Sequence, residues 1–498
     1  MFTRFVMVSI LLFSVFAQSE QIKFNDKVGH SVAVQMAAAA KVDVIVLMQE
    51  QADLSAADMI VDRSEKVRFV YNTLKQTAEL SQASLVQNLK RKSISHKRFL
   101  SLNAIAIEKV DLALLLELAT RSDVRKIIAD PLFRMPELPG VLDRLLMPEL
   151  AQLAPGENIV STGAPNVWNI SQGEGIVVAG QDTGIQWDHP ALKNQYRGWD
   201  GTQADHTYSW HDAIKTDISG SPNPCGRNIS VPCDDHGHGT HTIGTVVGDD
   251  GAANKIGMAP RAKWIGCRNM DNGVGRPSTY IECFDFFLAP FPQTGNVFSD
   301  GRPDLAAHVV NNSWGCPASE LCEGEEFVPV LENLFRAGVF IVASAGNEGP
   351  GCSTISDAPA HHSQLTFSVG AHNHKTGAIA GFSSRGPSGF DGAIGPDVTA
   401  PGVSIRSSTP GNGYQGAMWS GTSMAGPHVV GQVALMWGAN RNLIGNIART
   451  SEIIRLTATP KTSTETCGGI SGQLIPNNTF GYGLINAERA VRQAVLGL

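Results

Sequence analysis

The stretch "VVAGQDTGIQWDHP", residues 177–190, decides the fold. An apolar run from Val177 passes through Gln181 into Asp182, and Thr183-Gly184 then turn the chain. Such a run, with no alternation of polar residues, reads as a strand buried on both faces. Its last residue is a carboxylate, so Asp182 is expected at the carboxyl end of that strand. A turn-capping aspartate is the plainer reading of the motif taken by itself.

Reading outward, the same pattern recurs. "AKWIGCRNM", "STYIECFDFFLA", "AHVVNNSW", "FVPVLENLFRAG" and "VFIVASAG" alternate between strand-like and helix-like runs, and a long helix follows Ser423. Continuous apolar strands separated by helices predict an α/β fold, a mostly parallel central sheet covered on both faces. Sites in such folds lie beyond the carboxyl ends of the strands.

Two further motifs carry chemistry. "DDHGHGTHTIGTVVG", residues 234–248, holds His236, His238 and His241 within six positions. A zinc site is the rival reading, but there is no HExxH helix, and the only adjacent carboxylates are Asp234 and Asp235. A general base needs one histidine held in one tautomer by a carboxylate. "WSGTSMAGPHVVGQVALM", residues 419–436, places Ser423 at a helix N-terminus, where free N–H groups stabilise developing negative charge. Asp182, His238 and Ser423 are expected at three strand ends of one sheet, as the parts of a nucleophilic site. Asn347, on the Gly-flanked turn of "VASAGNEGPG", is the candidate oxyanion donor.

The rest of the chain frames that site. The 498 residues are 42% hydrophobic and 17% charged, ordinary for globular domains and too long for one small unit. The net charge of -7 excludes a basic nucleic-acid-binding face. Residues 1–149 carry a charge of +2 and residues 150–498 a charge of -9, which suits two parts that associate. Residues 1–19 read as a signal peptide: Arg4, then an apolar run too short to span a bilayer, then small residues. With no later spanning run, an exported protein without a membrane anchor is expected. Eight cysteines, all after residue 220, favour disulfides. Cys225–Cys233 and Cys316–Cys322 would close short loops, and the other four could pair as Cys267–Cys283 and Cys352–Cys467, although sequence does not dictate the pairing. Residues 20–135 read as a β-α-β-α-β unit of ferredoxin-like kind, and the Pro- and Gly-rich residues 136–160 as a linker before a domain spanning 161–498.

Nine motifs then carry a resemblance. "DTG" (182–184), "HGTHTIGT" (238–245), "GMAPRAK" (257–263), "NNSWG" (311–315), "ASAGNEG" (343–349), "FSSRGPS" (382–388), "PDVTAPG" (396–402), "GTSMAGPHV" (421–429) and "GYGLINA" (481–487) stand in this order. Over residues 155–495 the chain resembles the subtilisin-like serine proteases, the subtilases, and within them the bacillopeptidase F-like branch. The resemblance implies a three-layer αβα fold and a serine endopeptidase using Asp182, His238 and Ser423, with Asn347 in the oxyanion hole. It implies that Ser313-Trp314-Gly315 and Ser344-Ala345-Gly346 wall the pocket for the P1 side chain, the residue before the scissile bond. Gly273-Val274-Gly275 would pair with the substrate backbone. The front unit would be an I9-type propeptide, chaperone and inhibitor of its own body, with the maturation site in the linker. Polypeptide substrates and that propeptide are the expected partners of a monomer secreted to the medium or periplasm. A catalytically inactive subtilase fold used for binding is the alternative.

The resemblance also bears on cofactors and specificity. None is required for catalysis, and no metal ligand is assigned. The family's calcium aspartate, nine residues after Asp182, is here Ala191, and Gly251 replaces an expected asparagine ligand. Asp249 and Asp250 are left for at most a weak structural calcium site, with solvated loop carboxylates preferred. Aligned on the family, Asp357 falls at the floor of the P1 pocket and Glu348 at its rim, so a basic P1 residue is expected to be tolerated.

Overall fold

The computed structural model describes residues 26–135, 154–324, 326–417 and 419–497. The signal segment and most of the linker lie outside the described residues.

The body is built on a seven-stranded sheet in which every neighbouring pair is parallel. The order runs Val398–Pro401, Phe367–His372, Phe340–Ser344, Val309–Asn312, Val177–Asp182, Lys263–Arg268, Trp210–Asp212. The first of these in the chain, Val177–Asp182, lies inside the sheet. The chain adds strands to one side of it and then to the other. The crevice beyond Asp182 is therefore a topological switch point, where α/β sheets bind ligands.

Two hydrophobic clusters lie on the two faces, which makes the three layers. One gathers Ile243, Val246, Val429, Val433 and Trp437 from helices His238–Val247 and Thr422–Ala439. The other gathers Tyr280, Phe284, Leu331 and Leu334 from helices Pro277–Leu288 and Phe327–Arg336. All four expected disulfides form: Cys225–Cys233, Cys267–Cys283, Cys316–Cys322 and Cys352–Cys467.

The front unit has its own antiparallel sheet, ordered His96–Phe99, Ala104–Asp111, Lys41–Met48, Val124–Ala129. With helices Arg63–Arg91 and Leu112–Thr120 it is a β-α-β-β-α-β unit, one strand more than the sequence pattern predicts. The added strand reads His-Lys-Arg-Phe, and only Phe99 of it is buried, so it shows no apolar run. Helix Arg63–Arg91 begins at Asp62, whose side chain accepts from Glu65 N. Its buried residues recur at helical spacing but serve two cores. Leu85, Val86 and Leu89 pack inside the front unit, whereas Val67, Val70, Tyr71 and Leu74 join the cluster around Tyr280 and Phe284.

Polar contacts then fix the docking. Asp285, at the far end of helix Pro277–Leu288, accepts from Leu100 N at 2.9 Å and Ser101 N at 2.7 Å. Asp130 of the front unit accepts from Ser278 N and Oγ at 2.9 and 2.6 Å, at the start of that same helix. There the carboxylate meets unsatisfied N–H groups and the positive end of the helix dipole. Finally, Phe133–Arg134 leaves the front unit and pairs antiparallel with Val274–Gly275, and Met135 N donates to Gly273 O at 2.8 Å.

Candidate active site

Asp182 is the last residue of its strand, as expected. His238 and Ser423 are not at strand ends. They are the first and second residues of helices His238–Val247 and Thr422–Ala439. The helices pack on the sheet, so their N-termini, rather than further strands, bring side chains to the crevice.

His238 Nδ1 lies 2.7 and 2.9 Å from the two oxygens of Asp182, and both residues are buried. Asp182 Oδ1 also accepts from Thr183 N at 2.7 Å. This close approach depends on Gly239. A Cβ there would stand 2.1 Å from Gly184 O and 2.9 Å from Asp182 Cβ, so only glycine lets the helix reach the strand. Asp234 anchors the helix start, accepting from His236 N, Gly237 N, Thr240 N, Thr240 Oγ1 and Thr183 Oγ1.

The other histidines do not converge with His238. His241 Nε2 bonds Ile405 O at 2.8 Å and its ring stacks on Trp419. Burial lowers it to about 3, so it stays a neutral packing residue. Among the described residues the one metal-like grouping is Cys316, Cys322 and Glu326, and both thiols there are spent in a disulfide.

Ser423 Oγ donates to Ser313 O at 3.4 Å, and His238 Nε2 has no hydrogen-bond partner among the described atoms. The Ser423–His238 hydrogen bond is therefore not formed in this state. Such bonds often tighten only with substrate in place.

The first turn around Ser423 is held by hydroxyls. Ser313 Oγ donates to Ser423 O at 3.1 Å and Ser344 Oγ to Thr422 O at 3.0 Å. Thr422 N and Oγ1 both donate to Asn347 Oδ1, at 2.9 and 3.0 Å. With its oxygen so engaged, Asn347 is left with its amide nitrogen as the donor. The role of Thr422 was not read from sequence, although it is the central residue of the Gly-Thr-Ser motif.

A cavity of about 350 Å³ opens beside Ser423. Ser313, Trp314, Gly315, Ser344, Ala345, Gly346 and Asn347 all line it, as do Arg134 and Met135 of the front unit. Gly273, Val274 and Gly275 lie along the adjoining edge, paired with Phe133–Arg134. The cavity thus brings together Ser423, Asn347 and the two expected wall segments, while Asp182 and His238 pair with each other outside its lining. Asp357 and Glu348 also line the cavity, as expected, and so does Glu320, which sequence reading missed.

The calcium loop does not suit calcium. Asp250 Oδ1 accepts from Ala252 N and Asn254 N, and Oδ2 from Asn254 Nδ2 at 2.6 Å. Asp249 Oδ1 accepts from Gly251 N at 2.8 Å. Asn254 Oδ1 is bound by the Arg406 guanidinium at 2.7 Å, already a cation. The oxygens face their own loop and an arginine rather than one common point.

Comparison with known proteins agrees with this architecture. The subtilase family model matches residues 173–483. The chain belongs to the subtilase family and carries a serine-endopeptidase domain of that type. Among individual relatives, bacillopeptidase F of Bacillus subtilis (strain 168) is 38% identical over 353 residues, 68% of this chain but 22% of the relative. The chain thus spans about a fifth of that protein's length. Serine protease AprX of the same organism is 27% identical over 428 residues, 82% of this chain and 83% of the relative. Subtilisin Savinase of Lederbergia lenta is 30% identical over 260 residues, 52% of this chain and 79% of the relative. The likeness to bacillopeptidase F supports the branch expected from sequence.

Proposed function

We propose that the protein is a secreted serine endopeptidase, made as a zymogen that processes itself. The observation that carries this reading is the buried Asp182–His238 pair, with Ser423 and Asn347 at the mouth of one cleft. His238 Nε2 takes the proton of Ser423 Oγ as that oxygen attacks the peptide carbonyl. Asp182 holds the ring so that Nδ1–H points to the carboxylate, and it stabilises the imidazolium that forms. The amide of Asn347 and the backbone N–H of Ser423 receive the oxyanion; one such donor contributes about 2.7–4 kcal/mol in serine proteases of this kind. His238 then protonates the leaving amine. Water resolves the acyl-enzyme by the same path in reverse.

The front unit acts as the inhibitory propeptide. Its segment Phe133–Arg134 occupies the edge strand Val274–Gly275 in the manner of a substrate. Polypeptides are the substrates in trans, and a monomer suffices, since one chain contributes every residue named. Four disulfides suit an oxidising compartment, and no described helix is long and apolar enough to cross a membrane.

The test is a gel with intact mass of the secreted chain, wild type beside Ser423→Ala. The wild type is expected as a body beginning within residues 136–160 plus a front fragment, while Ser423→Ala stays joined. Identical cleavage of both chains would refute self-processing.

A further inference from the structure

The cavity beside Ser423 is acidic on several sides. Glu320, Glu348 and Asp357 all face it. Asp357 lies against the wall at Gly315, where a Cβ would stand 3.3 Å from its Oδ2. Glu348 lies against Gly346, where a Cβ would stand 2.3 Å from its Oε2. Both are held in place by neutral donors: Ser384 Oγ gives to Glu348 at 2.8 Å and Ser356 Oγ to Asp357 at 3.1 Å. Glu320 stands nearer the mouth, where its Oε2 accepts from Arg134 N at 3.2 Å.

Among the described residues none of the three is in an ion pair. Burial raises Glu348 and Asp357 above the usual carboxylate range, Glu348 feels the charge of Asp357, and Asp357 that of Glu320. Asp357 and Glu320 are partly buried and Glu348 is exposed, and like charges lining one cavity without a counter-ion are unfavourable until something positive joins them. Their oxygens are too dispersed to hold one metal ion: the metal-like grouping among the described residues is elsewhere. A long side chain with several donors at its tip fits the spacing better than a point charge.

We propose that this cavity selects a P1 arginine or lysine, with Asp357 and Glu348 as the specificity-determining residues and Glu320 adding charge at the mouth. The inference rests on Ser423 being the nucleophile, because that places the cavity at P1.

The test uses the processed enzyme and peptide amides differing only at P1: Arg, Lys, Phe and Leu. A fluorophosphonate that labels active serine nucleophiles counts the working sites in each preparation. Arg is expected to exceed Phe in kcat/KM by about tenfold or more, the order of one charge-assisted hydrogen bond. Asp357→Asn and, separately, Glu348→Gln are each expected to shrink the Arg/Phe ratio severalfold per labelled site. A labelled enzyme that prefers Phe or Leu, or ratios that neither substitution moves, would overturn the inference while leaving the peptidase reading intact. A chain that neither takes the label nor cuts any peptide would overturn that reading, and the inference with it.

Discussion

Asp285→Ala should release the front unit. In the assembled chain this buried carboxylate holds two backbone donors, Leu100 N at 2.9 Å and Ser101 N at 2.7 Å. A hydrogen bond to a charged group contributes about 1.5–3 kcal/mol, so the pair contributes about 3 kcal/mol at the low end. Removing it weakens binding about a hundredfold, since each 1.4 kcal/mol is about a factor of ten. Asp285→Asn keeps one acceptor oxygen and is expected to lose roughly half as much, about tenfold. The assay is inhibition of the processed body by residues 26–135 added in trans, with Ki measured for wild type and both variants. That fragment carries a core of its own around Val44, Ile105 and Leu118. A Ki for Asp285→Ala within about threefold of wild type would refute the reasoning, because it would mean that the two bonds are replaced by water without loss.

Three further outcomes are expected. The Arg/Phe ratio at P1 should be full at neutral pH and fall on acidification, because only ionised Asp357 and Glu348 attract a cation. Both are raised by burial, so the fall begins above the usual carboxylate range; a ratio flat down to about pH 4, the ordinary carboxylate value, counts against it. Any loss of activity common to both substrates cancels in the ratio. N-terminal sequencing of the processed body should find a start shortly after Met135, because Phe133–Arg134 already pairs with the edge strand as a substrate would; a start before residue 136 or after residue 160 would contradict that placement. A chelator should leave the melting temperature where it was, because the oxygens of loop 249–254 are committed to their own backbone and to Arg406. A calcium ion at a hundred times its Kd would contribute about 2.7 kcal/mol, so a marked drop would show the fit to be wrong.

Much of the site was legible because its residues sit where chain geometry is tightly constrained. Asp182 ends a buried strand, and His238 and Ser423 begin helices, with Gly239 beside His238 permitting the close approach of helix to strand. What was not legible depends on contacts distant in sequence. The strand His96–Phe99 is an edge strand of basic residues and shows no apolar pattern. Strands Trp210–Asp212 and Val398–Pro401 are short, and polar residues within them and within Phe367–His372 are buried by neighbours rather than marked by periodicity. Glu320 reaches the cavity because a short helix within the Cys316–Cys322 loop turns it inward, and no local pattern announces that. The part Asp285 plays has no local signal either, since its partners, Leu100 N and Ser101 N, lie far away in sequence.

Helix Arg63–Arg91 has a consequence for the life of the molecule. Val67, Val70, Tyr71 and Leu74 belong to the same core as Tyr280, Phe284 and Leu331. A body parted from this helix gives up one wall of a core that was assembled with the wall in place. Its lifetime then depends on the height of its unfolding barrier rather than on the depth of its energy well. Such a body would last only as long as it takes to unfold.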